Sequence, residues 1–116
     1  MISPDDLVLL NEWKALVKDL NEKFGANFDL DGIIFLVGVQ ELGKGYVELS
    51  KDQKMEVFHI GICKLLSRFG FYEYTGMDSD GWPHYQATKR LPHLSAGQQN
   101  KLVKKAILEY FKDQPS

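Results

Sequence analysis

The chain has little of what marks several large functional classes. It has one cysteine, Cys63, so no internal disulfide can form and nothing points to an oxidising compartment. It has no surplus of one charge, since 14 Lys+Arg face 16 Asp+Glu for a formal net charge of -2. Without a basic excess there is no electrostatic reason to expect DNA, RNA or an acidic membrane as partner. Long apolar runs are missing too. The longest, Gly32 to Val39, falls well short of the roughly 20 residues that cross a bilayer. The opening Met1-Ile2-Ser3-Pro4-Asp5-Asp6 lacks the Lys or Arg of a secretory leader. No membrane contact is expected, and the cytoplasm is the expected location. There is no Gly-x-Ser-x-Gly elbow and no Walker loop, and Gly43-Lys44-Gly45 is too short to cradle phosphate. No repeat, linker or low-complexity tract divides the chain, so residues 1–116 are read as one domain.

What is present reads as helices. At 116 residues, 44% of them hydrophobic, the chain is long enough to bury a core without covalent staples. Ser3 before Pro4, Asp5 and Asp6 is a helix start, and Leu10, Trp13, Val17, Leu20 and Phe24 fall on one face before Gly25. This predicts a helix over 4–24. Leu9 and Leu16 lie off that stripe and either widen the buried face or meet a second chain. The next stretch runs from Asp29 or Asp31 as cap to Gly43 or Gly45 as stop, and it is apolar on nearly every side. Its β-branched residues suit a strand, but its length suits a helix buried in a bundle or at a subunit interface. A third helix starts after Ser50, with Met55, Phe58, Ile62, Leu65, Leu66 and Phe69 as its apolar face and Gly70 as its stop. Gly61 inside it costs about 1 kcal/mol of intrinsic helix stability, which a close helix crossing would explain. A last helix follows Ser95, with Leu102, Val103, Ala106, Ile107, Tyr110 and Phe111 inward, and Gln114-Pro115-Ser116 is read as a frayed end.

Between the last two helices the period changes to two. Tyr72 and Tyr74 alternate with Phe71, Glu73 and Thr75; beyond an Asp-Gly turn, Tyr85 and Ala87 alternate with Trp82, His84, Gln86 and Thr88. That is a β-hairpin over about 71–88, with Pro83 opening the second strand on an edge. The expected fold is mainly α: a four-helix bundle-like domain with a hairpin between the third and fourth helices.

Several arrangements invite a chemical reading. Asn27-Phe28-Asp29-Leu30-Asp31-Gly32-Ile33-Ile34 matches the first eight positions of an EF-hand loop. Its ninth and twelfth positions are Phe35 and Gly38, which have no side-chain oxygens to complete the shell. Helix capping by Asp29 or Asp31 is the simpler role. His59 and Cys63 are four apart on one helix face and could share an ion with His84, His93, Asp78 or Asp80, yet no paired ligand motif frames them. A buried Cys beside a partly buried His accounts for them. Mid-helix placement among Ile62, Leu65 and Leu66 also suits a poorly exposed thiol, not a catalytic one. Three helices followed by a hairpin is the element order of winged-helix DNA binders. Lys51, Lys54, Lys64, Arg68, Lys89 and Arg90 are set against Glu73, Asp78 and Asp80 on the would-be wing. Nucleic acid is therefore not the favoured partner.

The densest signal is Asp78-Ser79-Asp80-Gly81-Trp82-Pro83-His84-Tyr85. A tight turn accounts for its Asp and Gly residues. It does not account for Trp82, His84 and Tyr85, nor for Tyr72 and Tyr74 on the opposite strand. Tyr and Trp dominate binding hot spots because they bury large area at low entropy cost. The candidate binding residues are Tyr72, Tyr74, Asp78, Asp80, Trp82, His84 and Tyr85. The expected role is a non-enzymatic protein-binding or adaptor module, of the type of a small single-domain bacterial protein, with a possible homodimer and no cofactor or metal. The alternatives are a small ligand-binding protein or enzyme using Asp78, Asp80, His84 and Tyr85, and the winged-helix reading.

Overall fold

The computed structural model describes residues 3–45 and 48–113; the end read as frayed, 114–116, lies outside them. Among the described residues the chain forms four helices and one antiparallel hairpin: α1 (Pro4–Phe24), α2 (Leu30–Leu42), α3 (Lys51–Ser67), β1 (Tyr72–Met77), β2 (Pro83–Ala87) and α4 (Ala96–Lys112). The fold is mainly α, with the hairpin between α3 and α4. No helix is long and apolar enough to cross a membrane among the described residues.

Each helix begins where a side chain satisfies its free amides. Ser3 Oγ accepts from Asp6 N at 3.1 Å, and Asp29 Oδ1 accepts from Gly32 N at 2.7 Å, which gives Asp29 a capping role. Ser50 with Gln53, and Ser95 with Gln98, form reciprocal capping boxes. Gly43 ends α2 at φ 68, a left-handed conformation that favours glycine.

α2 and α3 form the centre. A Cβ on Gly38 would meet Val57 O at 2.0 Å, and one on Gly61 would meet Ile34 O at 2.3 Å. The two backbones therefore touch, and each glycine is the groove that admits the other helix. The intrinsic cost of Gly61 is offset by this approach, in line with its sequence reading. Around the crossing, Leu20, Ile33, Ile34, Val37, Leu65, Leu66, Val103, Ala106, Ile107 and Tyr110 make one buried cluster. α2 is thus buried largely by its own chain.

Some inward positions differ from the sequence reading. Met55, assigned to the apolar face of α3, is 66% exposed, while Val57 and Ile60 are buried; Cys63 is buried, in line with its sequence reading. α3 is covered by α2, α4 and both strands, so its buried arc is wider than a single stripe. Leu108 of α4 is also buried. Leu16 packs on the core cluster, which settles its role as a widened inner face, whereas Leu9 stays half-buried.

The hairpin pairs Tyr72 with Ala87, Glu73 with Gln86 and Tyr74 with Tyr85, then shifts so that Gly76 faces His84. The shift leaves Thr75 bulged, and its Oγ1 donates to His84 O at 3.1 Å. Thr88 ties the base, with N donating to Phe71 O at 3.0 Å and Oγ1 to Gly70 O at 2.7 Å. The loop is longer than a two-residue Asp-Gly turn: Asp78 N donates to Trp82 O at 2.9 Å and Gly81 N to Asp78 O at 3.0 Å, with Gly81 at φ 81.

Candidate functional site

A groove of about 440 Å³ runs between the hairpin and the N-terminal half of α3. Met55, Glu56, His59 and Ile60 line the α3 wall; the spacing i, i+1, i+4, i+5 puts them on one helix face. Asp78, Trp82, Pro83, His84 and Tyr85 line the hairpin wall. Four of the seven residues expected from the sequence meet here: Asp78, Trp82, His84 and Tyr85. The other three lie outside the lining. Tyr72 is half-buried, its ring edge-on to His59 at 6.4 Å between centroids. Tyr74 is 52% exposed and packs edge-on to Tyr85 at 5.7 Å. Asp80 contributes its carbonyl, which accepts from Lys44 Nζ at 2.6 Å and ties the hairpin tip to the loop after α2.

Asp78 organises the turn. Its Oδ1 accepts from Asp80 N at 2.9 Å and from Trp82 N at 3.0 Å, and its Oδ2 lies 2.9 Å from His84 Nε2. The His84 contact first, and the Trp82 amide next, hold its carboxyl below the ordinary value of 3.8. This network fixes Trp82 and His84 relative to each other. It also occupies both carboxylate oxygens with protein partners.

On the other wall His59 is exposed, where the sequence suggested a partly buried ring, and its Nε2 lies 3.3 Å from Cys63 Sγ. Cys63 is fully buried, and burial pushes its thiol up to about 11. On the hairpin wall, burial and then the charge of Glu41 push Tyr85 up to about 12. Tyr110 OH sits 2.8 Å from Glu41 Oε2 and 3.2 Å from Gln40 Oε1, and Lys64 Nζ is 3.7 Å from Glu41. Among the described residues no group of three His, Cys, Asp or Glu is placed to hold a metal ion.

The α3 wall was missed from the sequence. Periodicity assigns Met55 to the core and spacing joins His59 to Cys63, while Glu56 and Ile60 carry no motif. The signal that could have found them is their shared helix face, but nothing local states that the hairpin folds back over it. Pro83, read only as an edge residue, is buried and lines the hairpin wall of the groove.

No protein-family model, no curated protein and no solved structure matches the chain. The class that fold and site define is a mainly α domain with a hairpin-walled groove.

Proposed function

We propose that the chain is a binding module whose groove receives a segment of a partner protein, anchored by one large apolar side chain next to a Lys or Arg. The observation that carries this reading is the convergence of Met55, Trp82, Pro83 and Tyr85 beside Glu56 in a groove of about 440 Å³. That volume lies within the roughly 300–1,000 Å³ of ligand sites. Met adapts to varied apolar shapes, and Trp and Tyr give rigid contact area. The charged lining decides the flanking residue. Glu56 carries an unpaired negative charge there among the described residues, and the described lining has neither Lys nor Arg, so a cation beside the anchor is favoured.

A catalytic use of the same residues has less support. Asp78 is engaged by its own turn, Cys63 is buried as a thiol, and burial keeps Tyr85 protonated to about 12. Duplex DNA has less support, because Lys64 of α3 is paired with Glu41 and Arg68 at its C-cap with Asp113 at 3.0 Å, and the hairpin carries Glu73, Asp78 and Asp80. Association with a second copy is a separate proposal and uses a different surface, the N-terminal half of α1.

The test is site-specific photo-crosslinking in the source cell, with benzoylphenylalanine replacing Met55 on the groove wall or Gln99 on α4. A discrete protein adduct formed from position 55, absent from position 99 and lost on Trp82→Ala, supports the reading. Equal adducts from both positions, or none from position 55, contradict it.

A further inference from the structure

α1 is the helix with the least of its apolar surface covered. Only Leu20 is fully buried among its residues, and Leu7 and Val8 are 50% and 55% exposed. These two side chains form an apolar ridge on the N-terminal half of the helix. Beside the ridge runs a second groove of about 450 Å³, lined by Val8 and Leu9 of α1, Phe69 beyond α3 and Leu108 of α4. Val8 belongs to both features, so ridge and groove share an edge.

The charges on the rim are divided by wall. Asp5 and Glu12 stand on the α1 side, and Arg68 and Lys105 on the α3–α4 side with Glu109; Arg68 is held within the chain by Asp113 at 3.0 Å and Glu109 at 3.7 Å, and Glu12 lies 3.9 Å from Lys112. Among the described residues Asp5 and Lys105 take part in no ion pair.

We infer that two copies of the chain associate about a two-fold axis through this surface, each α1 ridge entering the other copy's groove. An isologous interface needs a patch that complements itself. An apolar ridge adjoining an apolar groove meets that need in shape, because a two-fold rotation lays each on the other. The rim meets it in charge at the two positions that take part in no ion pair, because the same rotation brings Asp5 of one copy toward Lys105 of its partner. Asp5 and Lys105 become a cross-copy pair. α2, the other helix expected at an interface, is a poorer choice. Ile33, Ile34, Val37 and Leu42 are buried within the chain, and its remaining apolar residues are half-buried.

This inference does not depend on the hairpin groove. It is tested by sedimentation equilibrium of the whole chain from micromolar to millimolar concentration, with far-UV circular dichroism to show that each variant is folded. Wild type should rise with concentration from 13.3 kDa toward twice that mass. Val8→Glu, at a position already exposed, should stay a folded monomer throughout. Asp5→Lys and Lys105→Glu should each weaken association by about tenfold, and the two together should restore it to within about threefold of wild type. A wild type that stays monomeric overturns the inference. So does a dimer indifferent to Val8→Glu, a dimer lost instead on Val39→Glu of α2, or a double charge variant weaker than either single one.

Discussion

Asp78 gives both carboxylate oxygens to its own hairpin, and that decides how the tip responds to acid. A carboxyl held below 3.8 in the fold contributes stability that is complete above that value and is lost as pH falls through its lower folded one. The tip should therefore loosen first as pH drops below 3.8: the Asp80 and Trp82 amides should lose exchange protection before those of α2 and α3. Asp78→Asn should keep part of the turn at neutral pH, since its side-chain oxygen still accepts, and Asp78→Ala should not. Cys63 makes the opposite kind of prediction. Burial alone raises its thiol, to about 11. At pH 8 iodoacetamide should thus label the native protein at least on the order of 100-fold more slowly than the unfolded chain. His59→Ala should leave labelling slow. Fast labelling of native protein would mean an accessible thiolate and would reopen the catalytic reading.

At this scale the sequence was informative where a side chain acts on its own neighbours. The caps Ser3, Asp29, Ser50 and Ser95, and the turn role of Asp78, are short-range events between residues two to four positions apart. Glu41 with Tyr110 was not legible, because that contact joins residues 69 apart in the chain.

Among the elements, the α2–α3 crossing carries the clearest energetic contrast. Replacing glycine by alanine inside a helix gains about 1 kcal/mol in propensity. At Gly38 and Gly61 the new Cβ would lie 2.0 and 2.3 Å from a backbone carbonyl oxygen, a contact that only separation of the helices relieves. Overpacking costs of about 1–3 kcal/mol or more exceed the gain, so Gly38→Ala and Gly61→Ala should each destabilise by roughly 2 kcal/mol in urea unfolding. Gly97→Ala is the control. It sits in the first turn of α4 with nothing within 4 Å and should stabilise by up to about 1 kcal/mol. If all three variants shift the midpoint the same way, the close crossing is wrong.

Elements were legible from the sequence because caps, stops and periodicity are local. Gly61 even pointed to a close approach. The wide buried arc of α3 was not legible. Periodicity finds a helix that buries one side, and α3 is flanked by α2, α4 and the hairpin, so the stripe puts Met55 inward and leaves out Val57 and Ile60, which are buried.

For the whole molecule, the order of elements was readable but their packing was not. The groove exists because the hairpin lies over the first half of α3, a juxtaposition of residues 55–60 with residues 78–85 that no short-range pattern encodes. The hairpin half of the site was visible as an aromatic cluster. The α3 half depends on that tertiary placement. The central claim is that this groove selects an apolar anchor beside a cation, and selection from a displayed library of random peptides addresses it most directly. Peptides are selected on wild type and counter-selected on a folded Trp82→Ala variant. The account predicts enrichment of Leu, Phe or Trp next to Lys or Arg, with binding weakened by at least about 30-fold in Trp82→Ala and reduced also by Glu56→Lys. Enrichment of acidic peptides, or of peptides that bind the Trp82→Ala variant equally well, would contradict it.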